Sequence, residues 1–196
     1  MDILETGTNN GYPCANNKFT DNIAYGGNDK SVVPTGVGLS LGILLRCASN
    51  MLIANNTIDD LDYWVYDIQQ NGNFVGSLAG LHIQNNVITM HNAKVYAFQV
   101  ALPAGSVIDH EDLYVTGGAP IATVSGMGNA YDLGTLRSWT GTGQHSVAVD
   151  PQFSNAGGHD YHLRSSSPVI DLGSPIAGVT DGFLGAAPDL GRFEAR

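Results

Sequence analysis

A pair of asparagines recurs between short runs of β-prone residues, and this repeat constrains the fold more than any other feature of the chain. The copies span Pro13–Phe19, Met51–Ile58 and Leu81–Ile88, and the last two lie 30 residues apart. A short phrase that returns at such a spacing is typical of proteins built from stacked repeats. Asparagine tolerates the left-handed backbone of a tight corner. Each copy therefore predicts a strand, a bend and a second strand.

Each repeat continues into a third strand after a polar turn. The second copy is followed by the turn 59–62 and the run Trp64–Gln69, and the third copy by the turn 90–93 and the run Val95–Val100. Equivalent strands of successive repeats must pair in parallel. The sequence therefore predicts an all-β fold, a right-handed parallel β-helix with three short strands in each coil. Loop insertions are expected near residues 26–37 and 70–79.

The bend asparagines are expected to hydrogen-bond from coil to coil as a ladder. A fourth, altered copy, Val107–Tyr114, carries Glu111 where the third copy carries Asn86, so the ladder is expected to end there. Asp109, Glu111 and Asp112 form an acidic cluster in this copy and are a candidate Ca²⁺ site, although their spacing matches no known calcium loop.

The net charge argues against nucleic acid and anionic membranes as partners. The chain carries 18 acidic and 8 basic residues, a formal net charge of −10, which disfavours nucleic acid and anionic membranes as partners. No apolar run approaches the roughly 20 residues needed to span a bilayer. The segment Met1–Thr6 does not have the pattern of a signal peptide.

The repeat gives way to a tail with three short phrases, Asp150–Phe153, Ser167–Gly173 and Ala187–Glu194. With the asparagine pairs, these phrases resemble bacterial right-handed parallel β-helix proteins of the pectate-lyase-like superfamily. Such proteins commonly close with Asp-Pro-x-Phe, Ser-Pro-x-Ile-Asp-x-Gly and Ala-Pro-Asp-x-Gly-x-Phe-Glu. The resemblance covers most of the chain and suggests the C-terminal part of such a protein. It implies β-helix coils over residues 1–149, a tail over 150–196 packed on the same solenoid, and an extracellular location.

The resemblance implies a protein directed at a polysaccharide or oligosaccharide, because the better-known family members are polysaccharide lyases and glycoside hydrolases. The alternative is a non-catalytic, truncated β-helix that acts as a carbohydrate-binding or oligomeric scaffold protein. The scarcity of basic residues weakens the interpretation as a lyase for acidic polymers. Family members carry a cap over the first coil, whereas this chain enters the repeat within its first twenty residues. Either the insertion Gly26–Val37 folds over the open end, or the first coil pairs in a homo-oligomer, which is the expected arrangement.

Strand alternation selects the candidate site. With Tyr66, Ile68, Tyr96 and Phe98 facing inward, the outward set includes Val65 and a row of polar residues: Arg46, Asp67, Gln69 and Gln99. The polar turns beside this row add Asp59, Asp60, Asp62, His91 and Lys94.

Two reactions fit these residue types. Hydrolysis needs two carboxylates about 5–10 Å apart, and the pair selected is Asp67 with Asp60 or Asp62. β-Elimination needs a base, Lys94 or Arg46, and a cation to neutralise the substrate. Ca²⁺ held by Asp59, Asp60 and Asp62 would supply that cation. In either reaction Gln69, Gln99 and His91 are expected to bind the substrate.

Overall fold

The computed structural model describes residues 4–6, 15–26, 42–45, 49–61, 64–69 and 78–195, with the backbone alone for residues 4–6. Short strands make up most of the regular structure in these ranges. In chain order they are β1 (Leu4–Thr6), β2 (Lys18–Thr20), β3 (Ile23–Tyr25), β4 (Ile43–Leu45), β5 (Leu52–Ala54), β6 (Thr57–Asp59), β7 (Trp64–Ile68), β8 (His82–Gln84), β9 (Val87–His91), β10 (Lys94–Phe98), β11 (Val107–Asp109), β12 (Asp112–Thr116), β13 (Ala122–Val124), β14 (Gly128–Ala130), β15 (Phe153–Asn155) and β16 (Asp160–Leu163).

The strands pair mainly with partners from the preceding and following repeats. The first sheet has the order β1-β4-β7-β10-β13-β14, the second β11-β8-β5-β2 and the third β12-β9-β6-β3. All these pairings are parallel except that of β13 with β14, and β15 and β16 form a separate antiparallel pair. The all-β prediction with parallel sheets is therefore confirmed. Stacked parallel strands of this kind are consistent with a β-helix-like solenoid.

Apolar side chains from all three sheets form one core. Tyr66 of β7 stacks on Tyr96 of the neighbouring β10, and Tyr96 stacks on Phe98 of the same strand, with ring centroids 5.2 Å apart in each pair. Val65 is also fully buried in this core, so its predicted outward position is wrong. A separate irregularity occurs at β10, where the N–H groups of Val95 and Tyr96 both donate to the carbonyl of Ile121.

Residues in the left-handed conformation lie at corners between the strands, as predicted for the asparagines. They fall into three sets: Asn16, Asn50, Gly80 and Gly105; Asp21, Asn55, Asn85 and His110; and Gly26, Asp60, Asn92 and Gly117. Their φ values lie between +52° and +84°, a region that Gly and Asn enter at the lowest cost. The corner positions thus select residue type, which explains why asparagine recurs.

The asparagine ladder runs through Asn22, Asn56 and Asn86. The Nδ2 of Asn22 donates to the Oδ1 of Asn56 at 3.0 Å, and the Nδ2 of Asn56 donates to the Oδ1 of Asn86 at 2.8 Å. The first pair predicted from sequence, Asn16-Asn17, lies at a different corner, where the Asn50 side chain donates to Asn16. The sequence alignment of the first copy is therefore wrong, because Phe19 pairs with Ile53 and brings Asn22 beside Asn56.

The run of ladder asparagines ends at Asn86, as the sequence predicts, and Glu111 accepts the hydrogen bonds at the next position. The main-chain N–H and the Nδ2 of Asn86 both donate to the Oε1 of Glu111, at 3.1 and 2.8 Å. Glu111 is fully buried, and this burial raises its pKa well above the ordinary value. Its N–H donates to the Oγ of Ser146, so Glu111 links Asn86 to the segment after residue 140.

The C-terminal half adds a helix and a tail. The helix α1 (Leu133–Thr140) begins after Asp132, which accepts from the N–H of Thr135, and it ends at Gly141 with φ +71°. The tail packs on the outside of the third sheet, where Val87 joins a second apolar cluster. Among the described residues, no helix has the length and apolar character needed to cross a bilayer.

Candidate functional site

The outer face of the third sheet presents a row of four side chains in register. Tyr25, Asp59, Thr89 and Tyr114 occupy equivalent positions on β3, β6, β9 and β12. The residue before each of them faces the core, so the row faces outward. Adjacent strands lie about 4.8 Å apart, and the row therefore spans about 14 Å.

A shallow cavity of about 230 Å³ lies at the C-terminal end of these strands. Its described lining consists of Asp59, Asp60, Thr89, Met90, His91, Tyr114 and Thr116. The N–H of His91 donates to the Oδ1 of Asp60 at 3.0 Å, and the Nδ1 of His91 lies 2.8 Å from the Oγ1 of Thr116. We call this the third-sheet cavity. It brings together three of the predicted residues, Asp59, Asp60 and His91.

Asp59 is held in place by two hydroxyl groups. The hydroxyl of Thr89 donates to its Oδ1, and the hydroxyl of Tyr161 donates to its Oδ2 at 2.9 Å. Burial and the neighbouring Asp59 raise the pKa of Tyr161, so the phenol stays protonated and continues to donate. Asp59 therefore fixes the tail against the third sheet as well as lining the cavity.

An aromatic wall borders Asp59 on the side of the tail. The ring of His159 stacks on Tyr25 with centroids 3.9 Å apart, and Tyr161 lies 5.9 Å from Tyr25. Phe153 packs edge-on against Tyr161 at 5.1 Å. Tyr25 is 49% exposed and His159 is also exposed, so two aromatic side chains of the wall remain open to solvent.

Asp67, Gln69 and Gln99 belong to the first sheet or its end and not to the third-sheet cavity. Asp67 is buried, with 4% of its surface exposed, and its Oδ2 accepts from the Nε2 of Gln69 at 2.9 Å. Asp60 directly follows β6 of the third sheet. The predicted pair Asp67 and Asp60 is thus divided between two sheets. Asp67 is shielded from solvent, which separates it from the outward polar row that alternation predicted.

Gln99 lines a different cavity of about 310 Å³ at the C-terminal end of the first sheet. The described lining there is mainly apolar and includes Phe98, Val124, Met127 and Trp139. Gln99 and His91, both predicted to bind substrate, therefore border two separate cavities.

Lys94 lies on the first sheet beside Trp64. Its Nζ donates to the Oγ1 of Thr123 at 2.8 Å and lies 5.4 Å from the centre of the Trp64 ring. Partial burial lowers its pKa below the ordinary value of 10.5, which favours a role as base. The other predicted base, Arg46, lies outside the described residues, as do Asp62 and its contribution to a Ca²⁺ site.

The acidic cluster of the fourth copy is dispersed. Glu111 and Asp112 are both fully buried, and desolvation raises the pKa of Asp112 to about 8. Asp109 instead accepts from His145 through both carboxylate oxygens. Burial acts to raise the pKa of Asp109, but these hydrogen bonds outweigh it and lower the pKa overall. A Ca²⁺ site that combines the three carboxylates is therefore not formed.

Sequence reasoning missed Tyr25, Thr89, Tyr114 and Tyr161. The first three are separated by 25 residues or more, and only the strand register brings them into one row. The alternation of inward and outward side chains along β6, β9 and β12 would have identified Asp59, Thr89 and Tyr114 as outward-facing residues. Nothing in the sequence places Tyr161 against Asp59.

Comparisons of the chain with protein-family models, with curated proteins and with solved structures gave no significant match. Function is therefore inferred from the geometry of the site.

Proposed function

We propose that the protein binds a neutral glycan on the outer face of the third sheet. The observation that carries this proposal is the in-register row of Tyr25, Asp59, Thr89 and Tyr114, which ends in the third-sheet cavity. Carboxylates and hydroxyls supply acceptors and donors for sugar hydroxyls, and an exposed tyrosine offers an apolar face with a polar tip. A row across four parallel strands suits a polymer better than a compact ligand.

The proposed function agrees with a proposal about the fold and the family. We propose that the chain is a right-handed parallel β-helix with three strands in each coil, related to the pectate-lyase-like superfamily. Support comes from the order in which the chain visits the three sheets, because β4 to β12 occupy the first, second and third sheets in strict rotation. Right-handed crossovers are the rule for parallel strands. In such a fold the glycan groove is a strand face, and the third-sheet row is such a face.

Charge favours a neutral glycan over an acidic one. Asp59 and Asp60 both line the cavity, and the whole chain carries a net charge of −10. The carboxylates of a uronic acid polymer would be repelled at this surface. Lys94, the described candidate for an elimination base, lies on the first sheet. These observations argue against β-elimination at the third-sheet cavity.

Glycoside hydrolysis is the second candidate, because Asp59 and Asp60 supply two carboxylates to one cavity. Hydrolysis needs one carboxyl as acid and another as base or nucleophile. Asp59 already accepts hydrogen bonds from the hydroxyls of Thr89 and Tyr161. These bonds favour a role for Asp59 in orienting and binding the glycan, so hydrolysis is the second candidate.

Affinity electrophoresis in gels that contain xylan, mixed-linkage β-glucan, galactomannan or polygalacturonate tests the proposal. We expect at least one neutral polymer to retard the protein. Tyr25→Ala and Asp60→Ala should each weaken that retardation at least tenfold. Tyr131→Ala is the matched control, because Tyr131 is 60% exposed and lies next to the first-sheet strand β14.

The outcomes separate the candidates. No retardation by any neutral polymer, or equal losses in Tyr25→Ala and Tyr131→Ala, would refute glycan binding at this face. New reducing ends that disappear in Asp60→Ala would promote hydrolysis over binding. New absorbance at 235 nm with polygalacturonate would establish elimination and overturn the argument from charge.

A further inference from the structure

His110 and His145 come together at the corner that follows β11, away from the third-sheet cavity. His110 occupies the corner itself and His145 belongs to the segment after α1. Their rings are nearly parallel, 12° apart, with centroids separated by 4.8 Å. Asp109 completes the cluster, and one ligand atom from each of the three residues lies within 4.8 Å of the others.

Hydrogen bonds fix which nitrogen of each neutral ring carries its proton. The Nδ1 of His110 lies 2.9 Å from the main-chain oxygen of Leu172, which can only accept, so this Nδ1 donates. The Nδ1 of His145 lies 2.7 Å from the Oδ2 of Asp109, and it donates to that carboxylate. Both Nε2 atoms consequently carry a lone pair. Within the described part of the chain, neither Nε2 atom has a hydrogen-bond partner.

We propose that this cluster binds a divalent transition metal such as Zn²⁺ through the Nε2 atoms of His110 and His145. Histidine ligands typically donate the other ring N–H to a carboxylate or a main-chain carbonyl, which orients the ring. His145 and His110 show these two arrangements. Imidazole suits zinc, copper and nickel, whereas Ca²⁺ and Mg²⁺ prefer oxygen. The remaining coordination positions are taken by water.

A shared ion requires the two rings to leave their parallel stack, because a metal lies close to the plane of each imidazole that binds it. Two nitrogens that each lie about 2.0–2.1 Å from zinc are at most about 4.2 Å apart. The side chain of His145 is 67% exposed, so its ring has room to approach His110. Asp109 acts as a positioning residue, because its two oxygens accept from the Nδ1 and the main-chain N–H of His145 at 2.7 and 2.6 Å.

A metal at this place would fasten the segment after α1 to the last complete bend. The segment already adds on as a further layer, since the N–H of Gly143 donates to Ile108 and that of Val147 to Glu111, each at 2.8 Å. An ion that binds only the folded arrangement stabilises it by mass action. This inference goes beyond glycan binding and does not depend on it.

Isothermal titration of the chelator-treated protein with ZnCl₂ tests the site. We expect one equivalent to bind, and His145→Gln and His110→Asn each to weaken the affinity at least tenfold. Asparagine is chosen at position 110 because φ is +53° there and the equivalent residues are Asn55 and Asn85. His162→Gln is the matched control: His162 also bonds an aspartate, Asp160, at 2.7 Å, but its ring stacks on Phe193.

Two further measurements distinguish positioning from a general structural effect. Asp109→Asn removes an acceptor for the Nδ1–H of His145, and we expect the affinity to fall about 10–100-fold while the circular dichroism spectrum is retained. In ¹⁵N spectra, zinc should shift the Nε2 resonances of His110 and His145 rather than Nδ1. The absence of zinc binding, equal affinity in His110→Asn and His162→Gln, or ligation through Nδ1 would each overturn the proposal.

Discussion

The asparagine ladder is expected to contribute several kcal/mol to stability, and Asn86→Ala tests this. The Asn86 side chain is fully buried and takes part in four hydrogen bonds. It accepts from the N–H and Nδ2 of Asn56 at 2.9 and 2.8 Å, and it donates to Glu111 at 2.8 Å and to the oxygen of Ile53 at 3.2 Å. A buried hydrogen bond contributes about 1 kcal/mol net. The free energy of unfolding should therefore fall by about 4 kcal/mol.

The loss should be measured by urea unfolding followed by circular dichroism. For a domain of this size, about 4 kcal/mol corresponds to a fall in Tm of roughly 8–16 °C. The control is Asn17→Ala, because Asn17 belongs to the asparagine pair that sequence places first, yet its side chain is exposed. We expect that control to change the free energy of unfolding by less than about 0.5 kcal/mol.

A third variant tests the register of the first coil. Asn22→Ala removes the side-chain hydrogen bonds to Asn56 and to the main-chain oxygen of Thr20, and we expect a loss of about 1–2 kcal/mol. The reasoning would be refuted if Asn86→Ala cost less than about 1 kcal/mol. It would also be refuted if Asn17→Ala lowered the free energy of unfolding more than Asn22→Ala. That result would support the sequence alignment, in which Asn17 and not Asn22 is the first member of the ladder.

Three further predictions concern the tail, Lys94 and assembly. Gly191→Ala should lower the Tm more than Gly178→Ala. Both glycines have positive φ, but a Cβ at Gly191 would lie 2.8 Å from the Oγ1 of Thr57, whereas open space surrounds Gly178. Thermal unfolding of both variants checks this, and equal losses would contradict the tail packing. Burial lowers the pKa of Lys94, so its amine should deprotonate and react with acetic anhydride at a lower pH than free lysine, and an equal or higher midpoint by mass spectrometry would refute this. Light scattering should detect a defined homo-oligomer, because β2 and β3 are edge strands of their sheets among the described residues, and a monomer would refute the assembly prediction.

Much of the strand framework could be predicted from the second and third repeats alone. Asn55 and Asn85 lie at corners with φ near +54° and +60°, as their residue type indicates. The sequence misaligns the first repeat because its asparagine pair, Asn16-Asn17, has the same pattern as the pairs of the later repeats but lies at a different corner. Asn22 stands alone in the sequence and gives no such signal, although its hydrogen bonds identify it as the first member of the ladder.

The candidate site was predicted only in part. Asp59, Asp60 and His91 were selected because polar turns adjoin strands, and they do line one cavity. Asp67 was selected by alternation, which identifies the face of a strand but gives no information about what covers that face. The side chain is buried, so outward direction and solvent exposure are separate properties.

The sequence by itself determined which residues form strands and corners, because left-handed backbone and period-2 burial act within a few neighbouring residues. Tertiary structure alone decided the register of the first repeat and where the tail docks. Tyr161 reaches Asp59 across 102 residues, and His145 reaches Asp109 across 36. Such contacts depend on the lengths and paths of the intervening loops, and no local rule encodes them. The physical division is therefore between short-range conformational preference and long-range packing.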